Sequence, residues 1–206
     1  MTKFIDVIAM ARDSGYTGDL TPRYDAVDTT ADLGFADVGA PYSGPVAGIQ
    51  FMYGFPAATD SINISARVPN SFILTGAGND AIDVSHAGGT NVLDGGTGSN
   101  FLVGGTGSDT FFVDDRGAKG DIWSTAAGFH SGDAAVVWGV TAADFRTLAN
   151  GEGANGYQGL TLHIPSAHNT ASLTLSGYTT NDLLNGRLSY SFGEVDGNSY
   201  LYVHGN

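Results

Sequence analysis

The hydrophobic positions of this chain fall mostly on a two-residue beat. Ile62, Ile64 and Ala66 alternate with Asn63 and Ser65, the pattern of a strand with one buried face. TLHI over 161–164 and ASLTLSGY over 171–178 alternate in the same way. PVAGIQFMYGF (45–55), SFIL (71–74) and AVVW (135–138) are apolar runs, each read as a buried strand. RLSYSF (187–192) and SYLYVH (199–204) flank Asp196-Gly197, a two-residue hairpin signal. Helical spacing is rare. TNDLLNG (180–186) reads as one helical turn closed by Gly186, and Thr141-Ala-Ala-Asp144 has the form of a capping box that would open one short helix. Phe4, Ile5, Val7, Ile8 and Ala11 fit a helix face or a strand equally well. The pattern therefore predicts an all-β chain.

Superimposed on the two-residue beat is one of nine. Four units align: TGAGNDAID (75–83), HAGGTNVLD (86–94), GGTGSNFLV (95–103) and GGTGSDTFF (104–112), with Val84 and Ser85 inserted after the first. Position four is always glycine: Gly78, Gly89, Gly98 and Gly107. Position two is Gly76, Gly96 and Gly105 in three units and Ala87 in the other. Position six reads Asp80, Asn91, Asn100, Asp109, and position eight reads Ile82, Leu93, Leu102, Phe111. Glycine allows backbone angles that other residues resist, so loop carbonyls can turn toward one point. An acid at position six adds charge, and such hard oxygen donors suit calcium. The apolar position-eight residues would stack into a thin core.

Composition sharpens this. Glycine makes up 31 of 206 residues, about twice the average usage of ~7 %. The formal net charge is −13, and the acids are nearly all Asp, which suits turns and hard-cation ligation better than helices. Such a surface repels nucleic acid and anionic membrane. With no cysteine, disulfides and thiolate metal sites are excluded. MTKFIDVIAMARDSGY makes a poor secretory signal, and no apolar run is long enough to span a bilayer.

The repeat resembles the calcium-binding nonapeptide of RTX (hemolysin-type) secreted proteins, G-G-x-G-x-D-x-U-x, and residues 104–109 match its loop throughout. The resemblance implies a short parallel β-roll continued into a β-rich C-terminal cap, with two units per turn and calcium between stacked loops. Loop 75–80 would stack on 95–100, and 86–91 on 104–109. The implied metal set is Gly76, Gly78, Asp80, Gly89, Asn91, Gly96, Gly98, Asn100, Gly105, Gly107, Asp109 and Asp121. Asn91 and Asn100 depart from the family's all-Asp pattern, as do Thr75, His86 and Ala87 at the loop openings. About two interloop sites are expected, weaker than a consensus roll. Asp121-Ile122 and Phe129-His-Ser-Gly-Asp133 resemble the segment that closes such rolls. Asp121 would then help fill the last loop's site; otherwise Asp121 and Asp133 are turn or cap residues. Asp114, Asp115 and Arg116 read as a solvated turn.

Three segments are expected: 1–57, a β/loop region suited to assembly; 58–140, the roll with flanking strands; and 141–206, the cap with a possible secretion signal. No HExxH helix, G-x-S-x-G elbow, P-loop or cysteine nucleophile occurs, so no enzyme is expected. His163 and His168 give no convincing metal pair, and His130 reads as a packed or surface residue. The resemblance implies type I export and a secreted, calcium-folded structural protein at the cell surface or in the matrix, for adhesion, as a coat or as a self-assembling fibre. Its partners would be calcium, further copies in an oligomer or filament, and a surface polysaccharide. The apolar run FIDVIA would pair with a neighbour's sheet edge. Two alternatives stay open: a carbohydrate-binding or host-adhesion module, in which Trp123, Trp138, Tyr190, Tyr200 and Tyr202 form a platform instead of core, and a calcium-dependent accessory region of a larger secreted protein.

Overall fold

Each nonapeptide folds as its spacing demands, a glycine-bearing loop and then a strand whose position-eight side chain points inward. The computed structural model of the protein describes residues 32–36, 40–41, 48–54, 61–144, 147–166, 169–195 and 197–206. The run Phe4–Ala11, and the assembly role expected of it, lie outside these residues. Four successive coils each give one strand to sheet A and the next to sheet B. They are β4 (Asn63–Ala66) with β5 (Ser71–Leu74), β6 (Ala81–Asp83) with β7 (Thr90–Asp94), β8 (Phe101–Val103) with β9 (Ser108–Asp114), and β10 (Ile122–Ala127) with β11 (Ala134–Trp138). Within each sheet these strands pair in parallel with the coil before and after. The fold is a parallel β-solenoid of about four turns.

The core is two piles of side chains in register. Ile64, Ile82, Leu102 and Ala126 stack in sheet A. Ile73, Leu93, Phe111 and Ala135 stack opposite them in sheet B. All lie in one buried cluster. The bulk of Phe111 is matched by the small Ala126 and Ala135, as close packing requires. A second buried cluster lies on the other face of sheet B, where Phe72, Val92, Phe112, Val136 and Trp138 gather. Fully buried strands on both faces explain why SFIL and AVVW are unbroken apolar runs and do not alternate.

The sheets continue beyond the roll at both ends. β1 (Asp32–Ala36) pairs with β4, β2 (Ala40–Pro41) with β3 (Phe51–Gly54), and β3 in parallel with β5. At the other end β12 (Thr147–Glu152), β13 (Gly159–Pro165) and β14 (Thr170–Ser176) form an antiparallel meander, and β14 pairs in parallel with β10. The hairpin β15 (Leu188–Val195) and β16 (Asn198–Gly205) extends sheet B through an antiparallel β16–β11 pair. Thus the expected hairpin is present, with Val195 paired to Asn198, and both sheets run across the boundaries at 57/58 and 140/141.

One local reading is corrected and one holds. Asp144 does accept hydrogen bonds from the Thr141 N–H and hydroxyl, at 2.7 and 2.6 Å. Among the described residues the segment is a turn through Asp144, and β12 begins at Thr147. The one described helix, α1 (Thr180–Leu184), starts at Thr179 with a reciprocal Thr179–Asp182 capping box. It ends before Gly186 at φ +78°, as TNDLLNG predicts.

Candidate functional site

The expected loop stacking is present on both sides of the roll. Thr97 N–H donates to the Gly76 carbonyl at 3.2 Å, joining loop 95–100 to loop 75–80. On the opposite side Ser108 N–H donates to the Gly89 carbonyl at 2.9 Å. The glycines are needed for this approach. A Cβ on Gly98 would collide with the Gly78 carbonyl oxygen, and one on Gly107 with that of Gly89. Gly96 and Gly105 meet the carbonyls of Gly76 and Ala87 in the same way. Close loop contact is a reason for the repeated glycine that carbonyl convergence alone does not supply.

Position six forms two ladders. In the first, Asp80 Oδ1 accepts the Ile62 N–H at 2.8 Å, Asn100 Oδ1 the Asp80 N–H at 2.9 Å, and Ser124 Oγ the Asn100 N–H at 3.2 Å. In the second, Asn91 Oδ1 accepts the Ser71 N–H at 3.1 Å, and Asp133 Oδ1 the Asp109 N–H at 2.8 Å. Each side chain therefore satisfies a backbone donor of the coil before it, where an unpaired buried N–H would be costly. Asp80, Asn91, Asn100, Asp109, Ser124 and Asp133 are all buried.

The two ladders differ in what remains for a cation. In the second, Asn91 Nδ2 donates both to the Gly88 carbonyl at 3.2 Å and to Asp109 Oδ1 at 2.8 Å. Gly105 N–H donates to Asp109 Oδ2 at 2.6 Å, and His130 N–H to Asp133 Oδ2 at 2.9 Å. Every carboxylate oxygen there is served by an N–H. In the first ladder Asn100 Nδ2 turns to the Gly98 carbonyl at 3.1 Å. Asp80 Oδ2 is left buried with no formed hydrogen bond. It is thus the one carboxylate oxygen of the two ladders that could meet a hard cation without first losing an N–H. Among the described residues no three His, Asp or Glu side chains converge on one point, so carbonyls would have to complete any such site.

The acids of the two ladders resist ionisation. Desolvation raises the pKa of Asp80 and of Asp109 above the ordinary 3.8, against the hydrogen bonds they accept. Asp133 is pushed up to about 7, by desolvation first and by the neighbouring Asp109 charge as well. His130 covers this pair, with Nε2 3.1 Å from the Gly105 carbonyl and Nδ1 3.5 Å from Asp133 Oδ2. Desolvation draws its pKa down, but hydrogen bonds to the Ser131 and Gly105 carbonyls and the charges of Asp133 and Asp109 outweigh it and leave the pKa raised.

Asp121 stands apart from the ladders. It is exposed and accepts the Thr170 N–H at 2.7 Å, fastening β14 to the start of β10. Its neighbour Ser124 holds the register position of Asn100 instead. The residues that close the ladders, Ser124 and Asp133, are missing from the expected metal set. The signal for Asp133 was the F-x-x-G-x-D segment; Ser124 had none. The turn after β9 is also not solvated. Asp114 and Asp115 are buried, and Arg116 forks onto Asp114 at 2.8 and 2.9 Å with its guanidinium 4.7 Å above the Trp138 ring. Trp138 and Tyr200 are core residues, whereas Trp123 and Tyr190 are exposed.

Comparison of the chain with family models, with curated proteins and with solved structures finds no match.

Proposed function

We propose that this protein is an extracellular calcium-binding β-roll of the RTX type, with a structural or adhesive role at the cell surface or in the matrix and no catalytic role. The supporting observation is the Asp80 carboxylate, buried between two glycine loops with Oδ2 lacking a formed hydrogen bond. A buried carboxylate in that state is costly unless a positive charge reaches it. Calcium, which takes ~6–8 oxygens in flexible geometry, would supply the charge and would be held by Asp80 and the surrounding loop carbonyls. The second ladder, whose carboxylate oxygens already accept N–H groups, depends less on the ion. That asymmetry argues for fewer and weaker sites than an all-Asp roll would have.

Calcium that binds only the folded chain draws folding forward by mass action. A chain left unfolded at low calcium inside the cell and folded at millimolar calcium outside suits export before folding. The edge strands β12 and β15 are natural templates for a further copy, which is how a coat or fibre would grow.

The test is a calcium titration of metal-stripped protein, followed by circular dichroism and light scattering together. A gain of β signal or of thermal stability at millimolar calcium, lost in Asp80→Asn, is the expected result. A simultaneous rise in mass identifies an assembling polymer, and a constant mass a monomeric module. Identical melting curves in calcium and in chelator overturn the calcium reading.

A further inference from the structure

Sheet A carries a feature on its outer face that the loops do not explain. Four rings from four parts of the chain form a band there. Tyr157, from the turn between β12 and β13, meets Phe101 of β8 edge to face at 4.8 Å. Phe101 pairs with Thr125 of β10, which places it diagonally beside Trp123 on the same face of adjacent strands. Trp123 in turn meets His163 of β13 edge to face at 5.3 Å. The band runs across the strands, with Trp123 41 % and Tyr157 43 % exposed.

The rings are held in place. Trp123 Nε1 donates to Thr174 Oγ1 at 2.8 Å, and that hydroxyl bonds Thr161 Oγ1 at 2.8 Å. The indole's only polar atom is therefore turned into the protein, and carbon surface is left outward. His163 is fixed from both sides, by Glu152 Oε2 at 2.6 Å and Ser172 Oγ at 2.9 Å. This Glu–His–Ser relay has no accessible nucleophile, since Ser172 is 4 % exposed in the middle of the sheet. Its effect is to stop the imidazole from swinging off the indole. Beside the band an open groove of ≈ 500 Å³ crosses β4, β6 and β8, with Phe101 and Tyr157 on one wall and Asn63, Ser65 and Asp83 along its floor.

We propose that this face binds a neutral polysaccharide, laid across the strands with its pyranose rings on Trp123, Phe101 and Tyr157. A pyranose ring offers axial C–H bonds on its face and hydroxyls at its rim. It needs immobile aromatic carbon beneath and short polar side chains beside it, and this face has both. Rigid rings also lose little conformational entropy on binding. The positions around the rings are mostly short and polar, Asn63, Ser65, Asp83 and Ser85, with Ala81 and Val103 among them. The net charge of −13, with Asp83 in the groove and Glu152 beside His163, turns away polyanionic glycans. The face shares no residue with the glycine loops proposed to hold calcium, so it depends on the ion only as far as the fold does.

The test is affinity electrophoresis of the full chain through gels containing a neutral β-glucan, a neutral galactomannan or a polyuronate, in calcium and in chelator. Trp123→Ala, Tyr157→Ala and Tyr190→Ala, the last on sheet B, run alongside. The expected result is retardation by a neutral polysaccharide, on the order of ten-fold weaker in Trp123→Ala and in Tyr157→Ala and unchanged in Tyr190→Ala. The Tyr157 variant lies in a turn and keeps the test valid if the Trp123 variant misfolds. Sugar should also protect one of the two tryptophans from acrylamide quenching. Retardation by the polyuronate alone, retardation that both variants retain, or none in any neutral gel overturns the proposal. So does self-association that Trp123→Ala abolishes without any glycan effect. Loss of calcium response with glycan binding intact would strike only the calcium reading.

Discussion

Asn91 Nδ2 donates to Asp109 Oδ1 at 2.8 Å while also reaching the Gly88 carbonyl. The amide hydrogens thus sit between a loop carbonyl and a position-six carboxylate, the two kinds of oxygen that an interloop cation would join. Asn91→Asp removes those hydrogens and sets a carboxylate against Asp109. In chelator the variant should lose about 1–3 kcal/mol of stability, measured by urea unfolding. Millimolar calcium should restore most of it, so the variant's melting temperature responds to calcium more steeply than that of the parent. Equal calcium responses would show that the amide does not take the place of an ion.

The acids around His130 give the metal-free protein a definite pH dependence. Asp133 titrates near 7 when folded and near 3.8 when unfolded, so between these values the folded chain holds the extra proton. Stability then falls as pH rises. Asp109 and Asp80, also raised, act in the same direction. His130 is raised above 6.5, so its contribution is complete below 6.5 and disappears as pH passes its folded value. Urea midpoints in chelator should therefore decline steadily from pH 5 to above 7. Asp133→Asn should flatten the decline, and calcium, by favouring ionised carboxylates, should flatten it too. A midpoint that climbs over this range would contradict the assignment.

Much of the roll is legible in the sequence because each strand has one job. Position eight must be apolar, position four must be glycine, and one unit carries the chain to the opposite sheet and the next one back. The loop pairs 75–80 with 95–100 and 86–91 with 104–109 follow directly. The closing coil is harder to read, since its loops carry no GGxGx signal. There Ser124, a neutral residue two positions inside β10, closes the ladder of loop 95–100, and Asp133 rather than Asp121 closes that of the last loop. β12 was obscured by Thr141-Ala-Ala-Asp144, whose side-chain bonds form as in a helix start although the chain continues into a strand. The ring band was hidden because Tyr157, Phe101, Trp123 and His163 meet only through sheet pairing, and spacing along one strand cannot reveal that.

Glycine substitutions separate close stacking from simple flexibility. Gly98→Ala places a methyl group on the Gly78 carbonyl, with backbone on both sides and no flexible neighbour to yield. It should destabilise by about 2 kcal/mol or more and lower the melting temperature in calcium and chelator alike. Gly120→Ala, in the loop before β10, meets nothing within 4 Å and should be close to neutral. If Gly98→Ala were harmless, the two loops would not be in contact in solution.

The Arg116–Asp114 fork should be among the most sensitive points of the fold. Both side chains are almost entirely withdrawn from water, at 9 % and 11 % exposure, and the guanidinium also lies on Trp138. Arg116→Ala would strand a carboxylate beside Asp115 in a desolvated corner, a change that costs about 3–5 kcal/mol where a buried pair is broken from one side. Arg116→Lys keeps the charge but loses the fork and the planar stack, so it should fall between the parent and the alanine variant. The discriminating case is Asp114→Leu with Arg116→Met. If the single losses come from an uncompensated charge, the double variant should be more stable than either single change. Urea unfolding of the four proteins at one pH completes the cycle. Simple additivity of the two losses would mean that the pair contributes by packing alone.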